Sequence, residues 1–131
     1  PLAVERFSAG FRVPLLTSAS GRIFLAFSSA AQRDSLLEIL SRSTREVDKL
    51  AVNRSEVQKI LAEARNQGYA TAVRPRRVTD EITMAVPIQL DDRVLAAVSV
   101  RFSGTAVPMK LAVERFLPPV LEFLGVGGHG T

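Results

Sequence analysis

The sequence predicts one α+β domain, with helices packed against a mainly antiparallel sheet. Two observations carry this reading. Up to Gly68, apolar residues recur at helical spacing behind recognisable N-cap residues. After Gly68 the period changes: residues 69–73, 81–89 and 93–102 are rich in Val, Ile and Ala, and Asp91-Asp92 marks a hairpin turn between the last two runs.

The elements follow in order. Residues 2–11 alternate unevenly up to Gly10 and read as a strand, which Pro14 ends. Thr17 or Ser18 can cap a helix running to Phe27, with a first turn built from small residues. Ser29-x-x-Gln32 is a capping-box pattern, with Leu36, Leu37 and Leu40 behind it. Residues 41–53 form a polar, charged connection. Asn53-x-x-Glu56 caps the next helix, whose stripe is Val57, Ile60, Leu61 and Ala64 and whose end is Gly68. Pro108 opens a final helix with Leu111, Ala112, Phe116, Leu121 and Leu124 on its apolar side. Pro118-Pro119 should kink or split it. Residues 125–131 are too glycine-rich to hold structure, leaving 1–124 as the domain and 125–131 as a flexible tail.

A chain of 131 residues, 47% hydrophobic and 23% charged, has globular composition and enough length for a single core. It has no cysteine, which excludes disulfides and thiolate metal or redox sites and favours a reducing compartment. No apolar run approaches the roughly 18 residues that span a bilayer. Glu5 and Arg6 do not suit a signal peptide, so the cytoplasm is the expected location. The net charge of +4 comes with only three lysines, Lys49, Lys59 and Lys110, so it reflects arginine usage more than phosphate affinity.

Catalytic chemistry lacks its parts. Gly125-x-Gly127-x-x-Gly130 spells a dinucleotide fingerprint without the strand before it or the helix after it, so no cofactor is expected. His129 is the single histidine, which leaves neither a Ser-His-Asp triad nor a histidine metal centre. Asp91 and Asp92 are adjacent at a turn and point different ways. Ser18 and Ser20 have no base in sequence reach. No enzyme is expected.

Binding remains. Arg74-Pro75-Arg76-Arg77 is the densest basic cluster, readable as a solvated loop, as a lid over an anionic ligand or as a phosphate-backbone contact. Only Tyr69 lies near it as a stacking aromatic, which argues against a single-strand platform. Arg101 is more specific. Alternation puts it on one strand face with Ser99, Ala97 and Leu95, opposite Val98, Val100 and Phe102. If the hairpin is centred on Asp91-Asp92, the Thr83 and Ala85 set can lie near the Ser99 and Arg101 set. That makes a small semi-polar patch with a guanidinium for a carboxylate, unless it is simply a solvated outer face.

The order of these motifs resembles the C-terminal effector-binding domain of IclR-type bacterial transcription regulators. The residues that carry it are RVPLLTSASGRIFLAF (12–27), VQKILAEARNQGYA (57–70) and MAVPIQLDDRVLAAVSV (84–100). Within them stand Ser18-Ala19-Ser20-Gly21 at a helix start, Leu25-Ala26, Gly68-Tyr69-Ala70, an Ala-Val-Pro-Ile strand and an Ala-Ala-x-Ser-Val strand. The resemblance implies a GAF-like fold with a pocket for a small organic acid, and a homodimer or tetramer. It implies that Ser18, Ala19, Ser20 and Gly21 leave space for an effector, with Thr83, Ser99 and Arg101 on the remaining walls. Exposed amides at a helix N-terminus suit a carboxylate. The run 12–27 and VERFLPPV (113–120) are most similar to activators of aromatic-acid catabolism, such as those responding to hydroxyphenylpropionate. The chain departs from many relatives at Thr71-Ala72-Val73-Arg74, where they carry acidic residues, which favours a more anionic or more apolar ligand. The family's winged helix-turn-helix has no counterpart in the sequence, so the chain reads as an N-terminally truncated fragment. DNA would then be reached only through a separate domain. A pure oligomerisation module without ligand is the alternative, and direct nucleic-acid binding through Arg74, Arg76 and Arg77 the third.

Overall fold

The computed structural model describes residues 13–74, 80–103 and 109–125. The strand expected over 2–11, most of the basic cluster and nearly all of the glycine-rich tail lie outside the described residues. Helices α1 (Ala19–Phe27), α2 (Ala30–Ser41) and α3 (Arg54–Gln67) precede strands β1 (Ala70–Arg74), β2 (Glu81–Leu90) and β3 (Arg93–Ser103); α4 (Met109–Phe123) follows. The architecture is α+β, as the change of period predicts.

Helix α1 starts where its cap dictates. Ser18 has extended backbone, and its Oγ accepts from the Gly21 N–H at 3.0 Å. The segment before it is folded back against the helix and held three times. The backbone N–H and the hydroxyl of Ser18 both donate to the Pro14 carbonyl. Gly21 lies against the backbone of Leu15. Arg22 Nε donates to the Leu16 carbonyl at 2.7 Å. A Cβ on Gly21 would stand 2.4 Å from the Leu15 oxygen, so only glycine permits this approach. Burial lowers the pKa of the Arg22 guanidinium, with the nearby Glu63 carboxylate opposing that shift.

The other end of α1 is held by charge. Arg33 donates to the carbonyls of Leu25 (3.2 Å) and Ser28 (2.9 Å), and Arg65 to that of Ala26 (3.0 Å). Cations at a helix C-terminus meet both its unpaired carbonyls and its partial negative charge. The Arg33 pKa is lowered, first by desolvation, then by Arg65, against an upward pull from Asp34.

Ser29 caps α2 through the Gln32 N–H at 3.1 Å, and Asn53 caps α3 through the Glu56 N–H at 3.3 Å. Gly68 ends α3 at φ +85°, a left-handed cap with open space around it. The connection expected over 41–53 is not merely polar: Glu46–Val52 forms a 3-10 helix. Val47, Leu50 and Ala51 turn inward from it, and buried Asp48 accepts from the Ser43 hydroxyl at 2.6 Å. The charged residues between them hide that short apolar stripe from a reading of the sequence.

The strands form one antiparallel sheet in the order β1-β2-β3. Asp91 (φ 51°) and Asp92 (φ 63°) are both left-handed, as a two-residue type I′ hairpin turn requires. Ala70, Ala72, Ala85 and Ala97 share the face on which α1 packs, and α3 packs against α1. These short side chains let α1 lie close to the sheet, and Leu16, Ile23 and Leu25 are buried in one core with Val57 and Leu61 of α3. Ile82, Met84 and Val86 are buried on the opposite face. There α4 packs through Ala112 and through Phe116, whose ring lies 5.6 Å from that of Phe102. Pro118 and Pro119 do not split α4, which runs through both. The carbonyls they leave unpaired, four residues back on Glu114 and Arg115, belong to exposed residues that water can reach.

Unfolding in urea tests the seat of α1. Gly21→Ala should destabilise the chain by about 1–3 kcal/mol or more through overpacking against the Leu15 backbone. Gly68→Ala, with nothing around its Cβ, should cost only the left-handed backbone penalty of about 1–2 kcal/mol. Ser18→Ala should cost about 1 kcal/mol through loss of the cap.

Candidate functional site

The same helix start that packs tightly through Gly21 borders open space through Ser18, Ala19 and Ser20. Between them and the sheet lies a cavity of about 540 Å³, within the range of pockets for small organic ligands. Its roof is Pro14, Thr17 and the first turn of α1, and Val47 of the 3-10 helix closes one side. Its floor is the sheet face described by the register. Ala72 pairs with Thr83 and Thr83 with Arg101; Arg74 pairs with Glu81; Ala85 pairs with Ser99.

The floor is graded. Ala70 and Ala85 lie buried under α1, while Thr83, Glu81, Arg74 and Arg101 occupy the other end of the same face. Arg101 Nη1 stands 3.7 Å from Glu81 Oε1, with the arginine side chain 36% and the glutamate 19% exposed. Val13, Thr17, Arg74, Ser99 and Arg101 are exposed and form the mouth, whereas Ala19 is buried. The roof adds polarity of its own. First-turn amides have no carbonyl one turn back in the helix, and Ser18 takes up only that of Gly21.

Six of the seven residues expected at the site line this cavity: Ser18, Ala19, Ser20, Thr83, Ser99 and Arg101. Gly21 does not. It faces the Leu15 backbone, so the bulk missing there is filled by the chain itself. The shared face also stops short of Leu95. The register slips between Ile88 and Gln89, leaving Leu95 as an extra residue that is 59% exposed.

Glu81 and Val47 are wall residues the sequence reading missed. For Glu81 the signal was present, since it stands two residues before Thr83 and therefore on the same face. Its position also qualifies the expectation of a wall without acid after Gly-Tyr-Ala: the neighbouring strand supplies the carboxylate. Arg74 of the basic cluster lines the mouth, and the rest of that cluster lies outside the described residues. Among the described residues, no three of Asp, Glu and His converge to hold a metal, and no helix is long and apolar enough to cross a membrane.

Comparison with known proteins gives the same architecture a family. The chain matches the bacterial transcriptional regulator IclR C-terminal family over residues 3–122. An IclR family transcriptional regulator from Brucella abortus superposes with a TM-score of 0.68 at 20% identity, over 92% of this chain and 44% of that one. A double mutant of the inducer-binding domain of the transcription factor PobR from Acinetobacter, in complex with 3-hydroxybenzoic acid, gives 0.66 at 18% identity over 88% and 68%. An IclR homologue from Microbacterium hydrocarbonoxydans, complexed with 4-hydroxybenzoate, gives 0.57 at 23% identity over 94% and 47%. The chain thus spans under half the length of the Brucella and Microbacterium proteins. At these identities the structural likeness speaks for the fold, and the match over 3–122 speaks for descent: the chain belongs to the IclR C-terminal family of bacterial transcriptional regulators.

Proposed function

We propose that the chain is the ligand-sensing domain of a transcription regulator and that the cavity under α1 takes a small organic acid, with aryl carboxylates the favoured class. The observation that carries this is the open space between the first turn of α1 and the Thr83–Arg101 row, in a chain that otherwise packs α1 closely on alanines. Small apolar walls suit a ring. The Arg101 guanidinium lines the cavity and is a planar N–H donor matched in shape to a carboxylate, and the helix N-terminus adds partial positive charge above it. The hydroxybenzoates bound by the Acinetobacter and Microbacterium proteins support the aromatic class.

In this proposal the domain works by population shift. An acid held between roof and floor favours one seating of α1 on the sheet. That seating changes how two copies pack in a dimer or tetramer, and so the spacing of DNA-binding heads on a separate helix-turn-helix domain. The chain then needs no cofactor, acts in the cytoplasm and does not contact the operator itself.

A thermal-shift series of aromatic and aliphatic acids tests the reading. An acid at about a hundred times its dissociation constant adds about 2.7 kcal/mol, a shift of several degrees for a domain of this size. Arg101→Ala should abolish the shift from aryl carboxylates while the unliganded protein still melts cooperatively. Ser20→Leu, which puts bulk into the roof, should abolish it too. No shift from any acid, in a folded chain, would instead favour an oligomerisation module without ligand.

A further inference from the structure

Within the cavity one charge has the wrong sign for an acid-binding site. Glu81 projects from the same face as Thr83, opposite Arg74 on β1 and diagonal to Arg101 on β3. Its carboxylate stands 3.7 Å from the Arg101 guanidinium, and the side chain, 19% exposed, is better shielded than that of Arg101 at 36%. Opposite charge on the floor is therefore already partly matched before any ligand enters. Taken with the reading of the cavity as an acid site, on which this inference rests, that residue has a consequence for what the cavity accepts.

We infer that Glu81 is a specificity-determining residue, which restricts the cavity to acids with one carboxylate and rejects a second anionic group on the same ring. Two physical arguments support it. A carboxylate is an acceptor only, so it can receive a hydroxyl or N–H of the ligand but has nothing to offer a second carboxylate. Like charges brought together in a partly dry site cost much more than in water, and a repulsive group of this kind discriminates without adding affinity for the preferred ligand. The floor holds both signs side by side: Arg101 for the one carboxylate, and Glu81 against the next. The ligand class is a monocarboxylate whose ring carries neutral or hydrogen-bond-donating substituents.

Three acids on one skeleton test it: benzoate, 3-hydroxybenzoate and isophthalate, which differ only in H, OH or carboxylate at one ring position. Dissociation constants are measured by calorimetry on the wild-type chain, Glu81→Gln and Glu81→Asp, each first shown to melt cooperatively. Wild type should bind both monocarboxylates and bind isophthalate at least about tenfold more weakly than benzoate. Glu81→Gln should improve isophthalate relative to benzoate by about tenfold or more, and Glu81→Asp, which keeps the charge, should retain the wild-type order. An isophthalate-to-benzoate ratio that Glu81→Gln leaves unchanged, with benzoate still bound, overturns the role of Glu81 alone. Equal binding of isophthalate and benzoate by wild type does the same. Binding of no acid by any form overturns the acid-site reading, and this inference with it.

Discussion

The fold depends on how the chain at residues 14–16 is strapped to the start of α1. Three successive carbonyl-bearing residues are engaged in turn, by the Ser18 hydroxyl and amide, by contact with Gly21 and by the Arg22 guanidinium. The strap fixes the helix before its first turn is complete. It can do so only because one residue of that turn has no side chain. The cavity follows directly. With the strap occupying the inner side of the turn at Gly21, Ser18, Ala19 and Ser20 are left to line the cavity between the helix start and the sheet. Tight packing and open space are two sides of the same helical turn, separated by one residue.

The arginine content has a structural use that net charge conceals. Arg22, Arg33 and Arg65 all donate to backbone carbonyls around α1, two of them converging on its last turn. A planar guanidinium suits this work better than a lysine ammonium, because its N–H groups are fixed in direction and can reach two carbonyls at once, as Arg33 does. Three of the 17 basic residues thus hold the helix in place.

How much could be read from the sequence varied with how far each feature depends on local chemistry. Caps at Ser18, Ser29 and Asn53, the stop at Gly68 and the Asp91-Asp92 turn are decided within a few residues, and all stand where the pattern puts them. A two-residue turn on its own would pair Thr83 with Val100; the extra residue Leu95 shifts the register by one and sets Thr83 opposite Arg101, which no local pattern announces. What escaped depends on tertiary contact. The 3-10 helix exists because Val47 and Ala51 find an apolar surface to cover, which charged neighbours mask. Gly21 looks like its small neighbours until the Leu15 backbone is in view. Pro118-Pro119 breaks a local rule that an exposed helix face can tolerate. Glu81 was legible from strand parity, but attention to the apolar run placed the edge of the patch one position too late.

The slip between Ile88 and Gln89 divides the hairpin into two lengths with separate bookkeeping of inside and outside. On the near side, every residue from Glu81 to Ile88 owes its face to an unbroken two-residue alternation, so a single inserted or lost residue would turn Thr83 and Glu81 away from the cavity. On the far side, the extra Leu95 has already absorbed one change of length. Related chains can therefore be expected to drift in size and sequence around the Asp91-Asp92 tip. The stretch below the bulge is held to a fixed count.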